Sequence, residues 1–318
     1  MTTSLPGDIA GILAGHDRRG PREGTWPRER WLAELAAADA LICLLSDPID
    51  ADVLARAPRL QIVANYAVGH DNIDRAACAA RGVLVANTPD VLTEATADLA
   101  FALLLAAARR IGEGERLLRS GGWQGWAPGL LHGVEVAGRT LGVIGLGRVG
   151  RAVARRAAGF GMTVIATVHD HGASAHAPAG IEAVTLDDLL ARADFVSVHT
   201  PLTASTRHVI DAGALARMKP TAVLVNTARG ECVDEDALVD ALERGHLAGA
   251  GLDVFAGEPV VNPRLLAAPR LVLTPHLGSA TASARARMGE LCASAVAAVL
   301  AGQRPPNLVP PPPEPQAR

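Results

Sequence analysis

Short apolar runs rich in β-branched residues alternate along the chain with segments whose apolar residues recur at helical spacing. From Arg148 onward, for example, Val149, Ala152, Val153 and Ala157 fall on one face of a helix. The runs in the middle of the chain that predict strands are 140–144, 163–166, 195–198, 222–225, 251–254 and 271–273. This alternation is typical of a parallel sheet with helices on both faces, so we predict an α/β fold with a doubly wound, Rossmann-type domain.

The same pattern predicts three further helices and a second, smaller domain. Helices are expected at 99–108, 187–191 and 234–244. The first of these is the longest apolar run, and because it is too short to cross a bilayer we interpret it as a buried helix. Residues 1–90 repeat the alternation on a smaller scale, with strands predicted at 40–45, 61–64 and 83–85. The Pro-rich ending from Arg304 predicts a mobile tail.

Length and charge narrow the class of protein. At about 150 residues per domain, the 318 residues predict two domains. The 30 basic and 33 acidic residues nearly balance, which argues against a nucleic-acid-binding surface. Hydrophobic residues make up 49% of the chain, enough for two packed cores. The one lysine, Lys219, lies in Met-Lys-Pro, so there is no P-loop, and a Schiff-base enzyme would have to use that same residue.

The cysteines and the start of the chain predict a location inside the cell. Cys43, Cys78, Cys232 and Cys292 lie far apart without any C-x-x-C spacing, which is typical of buried thiols in a reducing compartment. The first residues lack the basic and apolar regions of a secretory signal. We therefore expect a cytoplasmic protein with no membrane partner.

A glycine-rich motif follows the first strand of the predicted Rossmann domain. Gly145, Gly147 and Gly150 form G-x-G-x-x-G between that strand and the helix that begins at Arg148. The glycines allow a tight turn, close approach of the backbone to a pyrophosphate and close packing of helix on strand. The first turn of the helix offers unpaired N–H groups to the phosphates. The motif, with Leu146, Arg148 and Val149 at its variable positions, therefore predicts a dinucleotide site.

The acid that usually binds the ribose hydroxyls should lie about 20 residues further on. Asp170 is at that distance from Gly150, next to His169, and is our candidate. The choice between NAD and NADP stays open. His169, His171 and His176 crowd one predicted loop, but no cysteine or carboxylate spacing there predicts zinc, so we expect no metal.

Three polar residues follow the late strands of the same domain, where an open α/β sheet binds its ligands. Arg229 can hold a carboxylate with its planar fork. His276 can donate or accept a proton near neutral pH, and Glu258 can orient that imidazole and favour its protonated form. Each residue also has a non-catalytic interpretation: Arg229 as a surface cation, Glu258 as a loop residue and His276 as a structural histidine. Together, beside a dinucleotide motif, they predict hydride transfer to a 2-oxo acid, with Asp253 supporting the site.

Several long segments resemble the D-isomer-specific 2-hydroxyacid dehydrogenases, and most closely the glyoxylate/hydroxypyruvate reductases among them. The similarity covers nearly the whole chain. The matching segments are 65–74, 87–89, 93–105, 145–150, 199–203, 218–220, 226–230, 248–255 and 275–281.

The resemblance implies a fold, an assembly and a set of roles. A flavodoxin-like substrate domain would comprise 1–90 and 280–318, with the tail at 303–318, and the NAD(P)-binding domain would be inserted at 91–279. The protein would be a homodimer, with helix 99–108 near the twofold axis. Arg229 would bind the substrate carboxylate with the backbone N–H groups of Val68 and Gly69, and Glu258 would orient the acid/base His276. The residues expected to line the cofactor, besides 145–150, are Thr96, His169, Asp170, Thr200, Thr227, Ala228, Asp253 and Gly278.

The chain departs from the family pattern at three places. The position of the ribose-binding acid of NAD-preferring members is Val168, and Val168-His169-Asp170 also differs from the Ser-Arg-Thr of NADP-preferring reductases. Leu130 stands where a bulky residue is often found, which alters the expected fit of substrate. The chain starts at what resembles the end of the family's first strand, so we expect either that the smaller sheet lacks a strand or that the start is truncated.

The predicted activity is NAD(P)H-dependent reduction of glyoxylate or hydroxypyruvate. D-3-phosphoglycerate or another D-2-hydroxy acid is the alternative substrate. A dinucleotide-sensing interaction protein is a third possibility, against which the intact set of Arg229, Glu258 and His276 argues. Formate oxidation is weaker still, because relatives with that activity pair the histidine with glutamine where this chain has Glu258.

Overall fold

The computed structural model describes residues 1–167 and 178–312. The chain divides into two compact units, Met1–Leu92 with Ala280–Arg318, and Thr93–Ser279. The sequence places the corresponding boundaries after residues 90 and 279. The roles of the two units, substrate binding and cofactor binding, remain predictions at this point.

The first unit contains a small parallel sheet. Its elements are β1 (Ala40–Cys43), β2 (Ile62–Asn65), β3 (Leu84–Ala86), α1 (Ile9–Ile12), α2 (Arg28–Glu34), α3 (Ala51–Ala55), α4 (Arg75–Ala80) and α12 (Ala282–Leu300). The strand order is β1-β2-β3, and every residue of the central strand is buried, because apolar clusters cover both faces of the sheet. Among the described residues the sheet has three strands, and Thr2 donates its N–H to the carbonyl oxygen of Ile42 in β1 at 3.1 Å.

The start of the Pro-rich ending is ordered, so the prediction of a mobile tail from Arg304 is wrong for its first residues. Asn307 is buried and donates through its side chain to Asn87 O at 2.7 Å. Leu308 forms an antiparallel bridge with Ala86 of the edge strand β3, and Val309 N donates to Val85 O at 2.8 Å. The extended backbone that proline favours is also the backbone that a sheet edge accepts, and the residues between the prolines supply the N–H groups.

The second unit contains a larger parallel sheet with helices around it. The strands are β4 (Thr140–Ile144), β5 (Thr163–Thr167), β6 (Ile181–Ala183), β7 (Phe195–Val198), β8 (Val223–Asn226), β9 (Gly249–Leu252) and β10 (Leu271–Leu273). The helices are α5 (Thr93–Ala108), α6 (Ile111–Arg119), α7 (Arg148–Ala158), α8 (Leu186–Arg192), α9 (Ala212–Arg217), α10 (Glu235–Glu243) and α11 (Pro263–Ala267). The seven strands lie in the order β10-β9-β8-β7-β4-β5-β6. The strand order reverses direction beside β4, so the predicted doubly wound Rossmann fold is confirmed.

The apolar run predicted at 99–108 belongs to α5, which packs on β8 and β9. Small residues let it approach the sheet closely: a Cβ at Gly251 would lie 2.9 Å from that of Leu103. Residues such as Ala100, Leu104 and Ala107 are buried along its length. Among the described residues, no helix is both long enough and apolar enough to span a bilayer.

Candidate active site

The predicted site residues of the second unit collect at the carboxyl ends of its parallel strands. The glycine-rich turn follows β4, Thr200 follows β7, and the segment that carries Arg229 follows β8. Asp253 follows β9, and the loop that carries His276 follows β10. All five segments therefore open onto the edge of the sheet where α/β proteins bind their ligands.

The turn after β4 has the close packing that its glycines imply. Gly145 adopts φ +94°, and a Cβ there would lie 2.9 Å from the carbonyl carbon of His199 and from Cγ2 of Thr200. A Cβ at Gly150 would lie 2.2 Å from the carbonyl oxygen of Gly145, so a larger residue would push α7 away from β4. The sequence thus brings the first turn of α7 directly against the end of β4.

This edge fits a dinucleotide. A Cβ at Gly147 would meet no atom within 4 Å, so the turn leaves open space beside the start of α7. Gly147 caps α7 without a side-chain hydrogen bond, so the cap residue does not cover the first turn of this 11-residue helix, where phosphates bind in sites of this kind. Thr227 Oγ1 is buried and has no hydrogen-bond partner among the described residues, although buried hydroxyls are normally paired. A buried hydroxyl without a partner, at the same edge of the sheet as the glycine turn, is a group that a bound cofactor would pair.

Asp253 fixes the loop on either side of His276. Its Oδ1 accepts hydrogen bonds from Thr274 Oγ1 and Leu277 N, both at 2.6 Å. Its Oδ2 accepts one from Gly278 N at 2.7 Å, and Thr96 Oγ1 donates to the carbonyl oxygen of Gly278 at 3.1 Å. Burial raises the pKa of Asp253, and the hydrogen bonds and the charge of His276 act against that rise. The carboxylate therefore orders the loop, and Thr96 and Gly278 lie together beside it.

His276 and Glu258 form a hydrogen-bonded pair. His276 Nδ1 lies 2.7 Å from Glu258 Oε2. Because an ionised carboxylate can only accept, Nδ1 carries the hydrogen and Nε2 remains for a ligand. His276 has φ +52°, in the left-handed region that few non-glycine residues adopt, and its N–H is held by Asp253 O at 2.9 Å. The backbone is thus held in an unfavourable conformation at the residue predicted to carry the proton.

Electrostatics keep Glu258 ionised. Burial opposes the charge of this carboxylate, but the hydrogen bond and charge of His276, the N–H of Phe255 and the charge of Arg229 together lower the pKa of Glu258 below its usual value. Phe255 N donates to Glu258 Oε1 at 2.9 Å, so both carboxylate oxygens are engaged. The three residues predicted to act together therefore influence one another in the structure.

Arg229 is placed by its backbone. Asn226, fully buried at the end of β8, donates through Nδ2 to Arg229 O at 2.8 Å and accepts from Ala228 N at 3.0 Å. The next residue, Gly230, packs so closely on the Phe255–Ala256 peptide that a Cβ would lie 1.9 Å from the carbonyl carbon of Phe255. The Arg229 segment and the Glu258 segment are therefore in direct backbone contact.

Two predicted substrate-binding residues lie in the other unit, after β2. The carbonyl oxygen of Val68 accepts from Asn87 Nδ2 and that of Gly69 from Asn65 Nδ2, each at 2.8 Å. These bonds fix the turn whose N–H groups are predicted to bind the substrate. His169 and Asp170 lie outside the described residues.

Sequence reasoning missed two residues that shape the site, Asn226 and Glu235. Asn226 ends a strand that is otherwise apolar, and a polar residue at that position was a usable signal. Glu235 accepts the N–H of Ala256 at 2.7 Å. It gave no signal, because an acid in the first turn of a helix is ordinary.

The chain is similar to known proteins in sequence and in fold. Residues 101–278 match the family described as D-isomer specific 2-hydroxyacid dehydrogenase, NAD binding domain. A glyoxylate reductase of Thermococcus litoralis is 49% identical over 287 residues, which are 89% of this chain and 87% of that protein.

Two solved structures are similar over nearly their whole length. The TT0316 protein from Thermus thermophilus superimposes with a TM-score of 0.90 at 44% identity, covering 97% of this chain and 98% of that one. An NADPH-dependent glyoxylate/hydroxypyruvate reductase from Sinorhizobium meliloti, in complex with NADP and malonate, gives 0.83 at 34% identity and 98% of both chains. With a dinucleotide motif, a Rossmann sheet and relatives of this kind, the chain belongs to the D-isomer specific 2-hydroxyacid dehydrogenase family and is an NAD(P)-dependent oxidoreductase.

Proposed function

We propose that the protein reduces a short 2-oxo acid, glyoxylate or hydroxypyruvate, to the corresponding 2-hydroxy acid, with the D configuration where the product is chiral. The observation that carries the proposal is the His276–Glu258 pair, with Arg229 close enough to lower the pKa of Glu258. A proton donor, its orienting carboxylate and a carboxylate-binding cation are the groups that this reduction needs.

In this proposal, Arg229 and the turn at Val68 and Gly69 orient the substrate. The guanidinium presents two parallel N–H groups to the substrate carboxylate, and the backbone N–H groups of the turn supply further donors. Positioning of this kind accounts for a large part of the rate of a two-substrate reaction.

His276 supplies the proton. When bound at the glycine-rich turn, NAD(P)H would supply the hydride for the new C–H bond at the keto carbon. As that bond forms, the electron pair of the C=O π bond moves to oxygen, which takes the proton from Nε2 of His276 and becomes the hydroxyl. Glu258, kept ionised, stabilises the protonated imidazole before transfer and holds its orientation afterwards.

Relatives support the size of the proposed substrate. The Thermococcus litoralis relative is named a glyoxylate reductase, and the Sinorhizobium meliloti relative a glyoxylate/hydroxypyruvate reductase. Identity of 49% to the former extends over 89% of this chain. The same similarity leaves NAD and NADP as equal candidates for the coenzyme.

The direct test is the initial rate of NADH and NADPH oxidation with glyoxylate and with hydroxypyruvate, measured in four separate assays. We expect turnover of at least one acid at a rate of about 1–10³ s⁻¹, the ordinary range for enzymes. The ratio of the two coenzyme rates then assigns the preference. Inactivity with every short 2-oxo acid and both coenzymes would overturn the proposal.

Replacing Glu258 by glutamine is expected to lower kcat/KM for reduction by about 100-fold. It should also move the loss of activity at high pH to lower pH, because a neutral amide cannot stabilise the protonated imidazole. The lowered pKa of Glu258 keeps it ionised through neutral pH in the wild type, so protonation of this group affects only the acid side. The pH profile of kcat/KM for wild type and variant is the measurement, and superimposable profiles would contradict the role of Glu258.

The homodimer and the cytoplasmic location stay predictions. Exposed apolar side chains on α6 and the segment after it are compatible with a partner surface: Ile111, Leu118, Trp123, Trp126 and Leu130.

A further inference from the structure

Glu235 is a buried carboxylate with a contact to the segment that carries Glu258. It is the first residue of α10 and only 9% of it is exposed. Its Oε1 accepts the backbone N–H of Ala256 at 2.7 Å, a short charge-assisted hydrogen bond. Burial raises the pKa of Glu235, and the nearby acids Glu231 and Asp236 add to that rise. A carboxylate kept in such surroundings calls for an explanation other than solubility.

Two carboxylates hold consecutive backbone N–H groups, those of Phe255 and Ala256. Phe255 N donates to Glu258 Oε1 at 2.9 Å, and the next N–H, of Ala256, donates to Glu235. Glu258 thus takes part of its orientation from the backbone at Phe255, and that backbone is fixed one residue later by Glu235. A shift of Ala256 would therefore move the N–H that aligns Glu258 with His276.

The same peptide also contacts the Arg229 segment. Without a side chain, Gly230 lies so close that a Cβ would be 2.2 Å from Ala256 N and 1.9 Å from Phe255 C. Glu235 holds this peptide by its N–H while Gly230 packs on its plane. Displacement of the peptide would therefore move the segment that carries Arg229 as well as Glu258.

Each loop that carries a member of the predicted proton-transfer pair is held by a carboxylate. Asp253 accepts three hydrogen bonds from the loop around His276. In the other loop, Glu235 accepts the one from Ala256, two residues before Glu258. Because each loop carries one member of the pair, a small change in either loop alters the Glu258–His276 distance of 2.7 Å.

We propose that Glu235 is a positioning residue for proton transfer: by binding the N–H of Ala256 it holds Glu258 in line with His276. The inference rests on the roles proposed above for Glu258 and His276. The effect of Glu235 passes through the N–H of the 255–256 peptide, which it binds at 2.7 Å.

The charges around the pair set the direction of the expected change. His276 and Arg229 face Glu258, Asp253 and Glu258 face His276, and Glu231 and Asp236 face Glu235. When Glu258 is less well aligned, the protonated imidazole loses part of its stabilisation. Reduction consumes that proton. The pH above which the rate of reduction falls should therefore be lower than in the wild type.

The test compares Glu235→Ala with Glu235→Gln. Alanine removes the acceptor, whereas glutamine keeps an oxygen at the same reach and should restore the contact. For Glu235→Ala we expect kcat about tenfold lower, on the scale of a small misplacement of catalytic groups. The loss of activity at high pH should move to lower pH by about one unit, in the direction expected for Glu258→Gln. Glu235→Gln should stay close to the wild type in both.

Asp240→Ala is the matched control. Asp240 lies on the same helix α10, but its carboxylate accepts from Arg244 Nη2 at 2.9 Å and Arg264 Nη2 at 2.7 Å and not from the 255–256 peptide. Its removal should leave kcat and the pH profile unchanged. Thermal unfolding of every variant, with NADH binding followed by fluorescence, reports whether the protein is folded.

A measurement without turnover separates the positioning role from the proposed reaction. NMR of protein labelled with ¹⁵N-histidine, with His276 assigned through His276→Asn, gives the titration curve of that imidazole directly. We expect the curve to move to lower pH in Glu235→Ala and not in Glu235→Gln. A folded Glu235→Ala variant with the wild-type curve would overturn the inference, even if the wild type reduces glyoxylate. A moved curve in a protein inactive with all 2-oxo acids would support the positioning role and overturn only the proposed function.

Discussion

Replacing His276 by asparagine is expected to lower kcat for 2-oxo acid reduction by about 10²–10⁴-fold, the usual contribution of a general acid. An amide at this position can still donate to Glu258 Oε2, but it has no proton to give to the substrate oxygen. The loss should therefore fall on kcat, while KM and the affinity for NADH change little. Initial rates and a fluorescence titration with NADH measure the two effects separately.

Asparagine is the suitable substitution because of the backbone at His276. With φ +52°, this position strains most side chains, and asparagine tolerates the left-handed region better than alanine does. His208 supplies the matched control, since it is exposed, lies in the same unit and has φ +50°. His208→Asn should keep the wild-type kcat. A folded His276→Asn variant with more than about a tenth of the wild-type kcat would be incompatible with general-acid catalysis by His276.

The fold could be predicted where local signals and burial agree. The strands 140–144, 195–198 and 271–273 have the predicted bounds, because each is a short apolar run between polar turns. Strand β6, Ile181–Ala183, was missed since it is a three-residue edge strand whose residues are partly or fully exposed. Strand β9 begins two residues before the predicted start, because Gly249 and Ala250 lack the β-branched side chains on which the prediction relied.

The candidate site could be predicted as far as it consists of residues at strand ends. Arg229, Glu258 and His276 each follow a strand of one parallel sheet, so topology alone brings them to the same edge. The residues that orient them could not be found in this way. Glu235 acts through a backbone N–H that is 21 positions distant, and Asp253 acts through N–H groups at 277 and 278. Loop conformation decides which backbone N–H groups need such acceptors. The residue types in a loop give little information about its conformation.

Replacing Arg229 by lysine is expected to lower kcat/KM for the 2-oxo acid by about 100-fold, and replacing it by glutamine by more. Lysine keeps the positive charge but presents a single ammonium, which cannot make the two parallel hydrogen bonds that a guanidinium makes to a carboxylate. Most of the loss in the lysine variant should appear as a higher KM, because the substrate carboxylate is held in the ground state as well as during transfer. The affinity for NADH should stay unchanged.

The control for this prediction is Arg217→Lys. Arg217 is a half-exposed arginine of the same unit, paired with Asp187 at 3.1 Å, and lysine should replace it without effect on kinetics. In Arg229→Gln the charge that helps to lower the pKa of Glu258 is also lost, so its pH profile should change on the acid side, whereas that of Arg229→Lys should not. Wild-type kcat/KM in Arg229→Lys would mean that charge alone holds the substrate. The difference between the lysine and glutamine variants thus separates the geometry of the fork from its charge.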